Sequence, residues 1–166
     1  MKIREEYSAD IAAIEAVTVA AFKQAPHSAQ TEHFIVRELR NNGALVVSLV
    51  AEEQGTVIGH VAISPVTVAK ENVGWYGLGP VSVEPSRQGC GIGSQLIQAA
   101  LQQLRNLNAN GCVVLGEPDY YARFGFSAMA NLLLPGVPAE YFQAIVFNGP
   151  PPVGEVAYHP AFEARA

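Results

Sequence analysis

The order of apolar runs predicts an α/β fold of the α+β kind. It is a mixed, mostly antiparallel twisted sheet with helices on both faces and splayed central strands. Three observations carry this expectation. Strand-like runs at Leu45–Glu53, Thr56–Val68 and Gly74–Glu84 follow one another directly, and Gln54-Gly55 links the first two as a hairpin. A helical stripe then separates the third run from a short apolar strand at Cys112–Leu115, which is the wiring of a βαβ crossover. Gly79-Pro80 interrupts the third run, and because proline cannot donate to a ladder the strand must bulge or leave its neighbour there.

The remaining elements fall around this frame. Met1–Glu5 reads as a first strand, and Ile11, Ile14, Val17, Ala21 and Phe22 recur at helical spacing through Asp10–Phe22, with Ser8 or Asp10 as cap. After a polar break at His27–Gln30, Thr31–Arg40 forms a second helix that Asn41-Asn42-Gly43 stops. Pro85–Gly93 is a loop. Ser94–Asn106 is a helix whose buried stripe is Leu96, Ile97, Ala100, Leu101, Leu104 and Leu107. Asp119–Phe124 is a short helix stopped by Gly125, and Tyr141–Asn148 is a strand that Gly149–Pro152 cannot extend. Val153–Tyr158 adds a further strand at the sheet edge, covers a groove, or makes a homodimer contact. With no repeat or linker, residues 1–166 read as one domain and 149–166 as its C-terminal extension.

Composition narrows the function. A chain of 166 residues buries about 70% of its unfolded surface and needs no staple. Hydrophobic residues make up 49% and charged residues 15%, against about 25% charged in ordinary domains, so disorder is excluded. A net charge of −5 argues against nucleic acid or an anionic membrane as partner. The N-terminal MKIREEYSAD has no apolar leader core, and runs such as Leu45–Ala51 and Val57–Val61 fall short of the about 18 residues a membrane span needs. The expected setting is the cytoplasm. Cys90 and Cys112 form neither a disulfide framework nor a zinc set, and His27, His33, His60 and His159 lack metal-ligand spacing. His60 reads as a histidine of the sheet face or core.

The sharpest motif is Arg87-Gln88-Gly89-Cys90-Gly91-Ile92-Gly93, between a strand and a helix. Alternate glycines let successive backbone N–H groups turn to one point without Cβ clashes. That point lies at a helix N-terminus, where orphan donors and the dipole favour an anion. The chemistry is a diphosphate cradle built from backbone, with Arg87 either adding charge or solvated. A Walker loop is excluded because no Lys follows the glycines. A dinucleotide fingerprint fits poorly because Ser94 occupies its last glycine slot. The pattern Q/R-x-x-G-x-G/A is met by Gln88, Gly91 and Gly93.

Here the sequence resembles the GNAT superfamily of acyl-CoA-dependent N-acetyltransferases. Gly79-Pro-Val-Ser-Val-Glu-Pro-Ser-Arg-Gln-Gly-Cys-Gly-Ile-Gly93 is similar to that family's fourth strand and pyrophosphate loop. Tyr121-Ala-Arg-Phe-Gly-Phe126 is similar to its Tyr-x-Lys-x-Gly-Phe segment, with Arg123 for Lys. The order of elements agrees over about 1–148, and Leu115–Phe126 resembles a bacterial predicted N-acetyltransferase subgroup.

The resemblance implies transfer of acetyl from acetyl-CoA to a primary amine, on a small molecule or a peptide, by direct attack in a ternary complex without a metal. It implies that Val81, Ser82 and Val83 line the pantetheine arm, and that Arg87, Gln88, Gly89, Cys90, Gly91, Ile92, Gly93 and Ser94 hold the diphosphate. It puts Tyr121 where the leaving thiolate is protonated, with Tyr120 as the rival hydroxyl. A phenol of reference pKa about 10 keeps its proton at neutral pH and can donate it. No acid lies in Gly74–Val83, so the base is left among Glu117, Asp119, Glu84 and a water held by Ser82 or a carbonyl. Trp75-Tyr76 either walls the acceptor site or packs in the sheet. A second reading, a non-catalytic acyl-CoA-binding or sensor domain, keeps the loop without a base.

Overall fold

A computed structural model describes residues 1–166. Its strands are β1 (Lys2–Glu5), β2 (Val47–Glu53), β3 (Thr56–Val68), β4 (Trp75–Val83), β5 (Gly111–Leu115), β6 (Leu132–Leu133), β7 (Phe142–Val146) and β8 (Gly154–Tyr158). Its helices are α1 (Ile11–Phe22), α2 (Glu32–Asn41), α3 (Ile92–Asn106) and α4 (Pro118–Ala122). The sheet order is β1-β2-β3-β4-β5-β7, antiparallel throughout except for β4 beside β5, which α3 joins as a crossover.

Alternation in β2 sets the layers. Val47, Leu49 and Ala51 turn to one face, into a core with Leu96, Ile97, Leu101 and Leu104 of α3. Val50 turns to the other face and packs with Ile14 of α1 and Val36 of α2. A period of two in the strand therefore puts helices on both faces, as the pattern predicts.

The sheet opens in its middle. β4 and β5 pair only over Trp75–Gly77 and Gly111–Val113. Beyond that, β4 stays with β3 as far as Val83, and β5 stays with β7 as far as Leu115, so the two diverge as a V. The bulge expected at Gly79-Pro80 is present: Ile63 faces Leu78 and Val61 faces Val81, leaving Ala62 opposite two residues joined by a cis bond.

Some expected boundaries move. α3 begins at Ile92 rather than Ser94, because Gly91 caps it in a left-handed conformation (φ 83°) and Ile92 is already buried. α4 begins at Pro118 and ends at Ala122, since proline's fixed φ suits a first helical turn. β8 does not lie along an outer edge. It pairs with Val66–Val68 of β3, past the last pairs that β3 makes with β2 and β4. The following turn packs Ala161 and Phe162 against Ile35 and Leu39 of α2, so the C-terminal segment is tied into the fold.

On the α1–α2 face, His60 is fully buried. Its Nε2 lies 2.8 Å from Ser48 Oγ, and Ser48 donates to Glu6, which accepts two bonds from Arg40 at 2.8 and 3.0 Å. Ser48 therefore accepts from His60 Nε2–H, and Nδ1 has no partner. Burial pushes the imidazole pKa down to about 4, with Glu6 opposing and Arg40 assisting. The unfolded chain protonates this group near pH 6.5, so stability is full above that value and is lost as pH falls toward 4. Urea unfolding should show about 2 kcal/mol lost between pH 7 and pH 5, and His60→Gln should flatten that slope. An equal slope in the variant would contradict the assignment.

Candidate active site

The V between β4 and β5 opens into a cleft of about 490 Å³. β4 forms one wall. Glu84 N–H donates to Ile58 O at 2.9 Å, so the alternation of an antiparallel ladder turns the N–H and C=O groups of Val83 and Val81 away from β3. With β5 gone from that side, these groups face the cleft. Gln88 already uses one of them, donating from Nε2 to Val83 O at 3.1 Å.

The glycine loop closes the end of the cleft at the head of α3. Gly89 and Gly91 both sit at left-handed φ, 80° and 83°, and nothing lies within 4 Å of where a Cβ would stand on either. No side chain caps α3, so the N–H groups of its first turn remain unspent. This concave row of donors at a positive dipole end suits a phosphate. Arg87 borders the cleft but is held by Glu53, with Nη2 to Oε2 at 2.8 Å. That pairing holds the Glu53 carboxyl below its usual range.

α4 forms the opposite wall with Tyr120, Tyr121 and Arg123. Arg123 donates to Ser94 Oγ at 3.0 Å and to Tyr120 O at 3.3 Å, and lies 4.4 Å over the Tyr120 ring. No carboxylate pairs with it, so it is the free cation of the cleft. Tyr121 is wedged edge-on against Tyr120 and Phe126, with ring centroids 5.0 and 5.9 Å away. Burial, reinforced by Tyr120, pushes its phenol pKa up to about 12, so it keeps its proton across the neutral range.

Most residues expected at the site do converge: Val81, Val83, Arg87, Gln88, Gly89, Gly91, Ile92, Gly93, Ser94 and Tyr121 all line the cleft. Three do not. Ser82 alternates to the other face, buried opposite His60, and its hydroxyl has no partner. Cys90 points to solvent, because the loop's backbone rather than its side chains turns inward. Glu117 is exposed outside the cleft, as is Asp119. No carboxylate lines the cleft at all. Tyr120, expected only as the rival hydroxyl, and Arg123, expected only in place of a lysine, line the cleft as well, beside Tyr121 on or at the end of the same short helix. Phe22 at the end of α1 also borders the cleft, and no local signal points to it. No group of three His, Cys, Asp or Glu gathers anywhere in the fold, and no helix is long and apolar enough to cross a membrane.

Gly116 sets the depth of Tyr121: a methyl built there would collide with the tyrosine ring. Gly116→Ala should lower the urea-unfolding stability by about 1–3 kcal/mol and shift the near-ultraviolet signal of the tyrosine cluster. An unchanged midpoint and spectrum would mean the ring is not wedged as described.

Comparison with known proteins agrees with this geometry. The acetyltransferase (GNAT) family matches residues 11–126. The uncharacterized N-acetyltransferase YhbS of Escherichia coli K12 is 36% identical over 132 residues, 79% of this chain and 76% of that protein. A GNAT family acetyltransferase from Brucella melitensis, solved in complex with acetyl-CoA, is 51% identical, with a TM-score of 0.89 over 98% of this chain and 97% of its own. YhbS from Escherichia coli, solved in complex with CoA, is 34% identical, with a TM-score of 0.86 over 99% and 93%. A parted fourth strand, a backbone cradle and a protonated tyrosine across from them fit these likenesses: the chain belongs to the GNAT family of N-acetyltransferases.

Proposed function

We propose that this N-acetyltransferase moves the acetyl group of acetyl-CoA to a primary amine by direct attack, with both substrates bound together. The observation that carries the proposal is the run of free backbone groups on β4, leading from a glycine cradle to the vertex of the V. The pattern of donors fits the cofactor. The diphosphate is held by the N–H groups of Gly89, Gly91, Ile92 and Gly93 and by the Arg123 guanidinium. The pantetheine amides bond to the outward-facing groups of Val81 and Val83, in the manner of an added strand. Binding through backbone leaves the thioester oriented, which is the larger part of what such an enzyme must supply.

Two proton movements remain. Tyr121 donates its phenolic proton to the thiolate as it leaves; a phenol held neutral by burial is a competent donor at physiological pH. Nothing in the cleft's lining supports Glu117 as base, so the amine loses its proton to solvent water. Neither cysteine lines the cleft, which supports direct attack over a covalent acetyl-enzyme.

Acetyl-CoA should raise the unfolding temperature, and thiol release should require an added amine and give intersecting initial-velocity lines. Tyr121→Phe should lower kcat on the order of 100-fold with acetyl-CoA affinity nearly unchanged. Parallel lines would overturn the ternary complex, and an unchanged kcat would remove Tyr121 from the mechanism.

A further inference from the structure

The C-terminal strand delivers an aromatic side chain to the vertex of the V. Tyr158 stands opposite Val66 in the β3–β8 register, and its ring crosses to β4. A methyl on Gly77 would collide with that ring and press on Val66. Gly77 is the last β4 residue still paired with β5, so the ring covers the point where the strands part. Phe162 backs it, with ring centroids 4.9 Å apart. Tyr158 packs with Val66, Trp75 and Val156, a cluster separate from the α3 core, so it lies on the sheet face opposite α3 and its glycine loop.

The Tyr158 hydroxyl has no hydrogen bond within the fold. Burial raises its pKa well above the usual phenol value, with Cys112 and then Tyr121 adding to that shift. Ser64, which occupies the register position of Gly77 on β3, has a buried hydroxyl without a partner. Tyr158 is itself half-buried, and a tyrosine packed this far into the fold normally finds a partner for its O–H. Here one phenol, with a serine hydroxyl beside it, is left over at the place where a reactant entering from the far face would meet the cofactor.

We propose that Tyr158 is an acceptor-binding residue. Its hydroxyl accepts a hydrogen bond from the incoming amine and holds the nitrogen lone pair toward the acyl carbon. The segment from β8 to Phe162 is the wall the acceptor lies against. The side chains that this wall packs inward, Val156, Tyr158, Ala161 and Phe162, are apolar or aromatic, so the acceptor it fits is a monoamine on an apolar stem rather than a polyamine. The inference rests on the acetyltransferase reading above.

The test pairs wild type with Tyr158→Phe, which keeps the ring on Gly77 and Phe162, and uses phenethylamine and spermidine as probes. Phenethylamine should have the higher kcat/KM in wild type. Tyr158→Phe should raise its KM about tenfold, while the thermal shift given by acetyl-CoA stays equal in the two proteins. An unchanged phenethylamine KM, or spermidine as the better substrate, would overturn the inference and leave the acetyltransferase reading standing. Absence of any acetyl-CoA shift in wild type would overturn that reading and this inference with it.

Discussion

The separation of β4 from β5 after Gly77 and Val113 is the constraint on which the rest of the molecule depends. In an unbroken sheet, the outward N–H and C=O groups of Val81 and Val83 would be spent on β5. A strand buried with those groups unpaired would cost several kcal/mol, so the fold must either pair them or leave them for a ligand. The bulge at Gly79-Pro80 fixes which β4 groups bond β3 and which face the gap. β7 holds β5 on its far side and β3 holds β4, so the V stays open without either strand becoming frayed.

The charge economy of the cleft follows from the same device. An enzyme that grips a polyanion with side chains needs a cluster of lysines. This chain carries 10 Lys and Arg in all, and one of the two arginines at the cleft is already bound to Glu53. In the proposed mode of binding, backbone donors on the left-handed glycine loop and the uncapped head of α3 supply the remaining attraction, with Arg123 as the positive charge that no carboxylate pairs. The absence of a carboxylate in the cleft has the same sense, since an acid beside the diphosphate would work against binding.

Much of this was legible in the residues because the signals were local. The glycine spacing, the proline inside a strand and the apolar stripe of α3 as far as Leu104 are each set within a few residues, whereas Leu107, expected in that stripe, is exposed where the helix ends. What was not legible was set by pleat and by long-range packing. Ser82 lies between two cleft residues, yet alternation sends its side chain to the buried face under α1. Arg123 stood out only as a replacement for lysine, while its role depends on Ser94 and the Tyr120 ring, which the fold brings to it from other elements or another turn. The place of β8 could not be read at all. Its partner is the end of β3, about ninety residues earlier, and Tyr158 acquires meaning only through its approach to Gly77.

Amide hydrogen exchange with and without acetyl-CoA tests the central claim most directly. The account predicts that the Val81 and Val83 amides exchange readily in the free protein and are slowed on binding. The first amides of α3 should be slowed with them, while those of β1 and β2 stay unchanged. Protection confined to the glycine loop, with Val81 and Val83 either already slow or unaffected, would contradict the claim that the parted strand is what receives the cofactor.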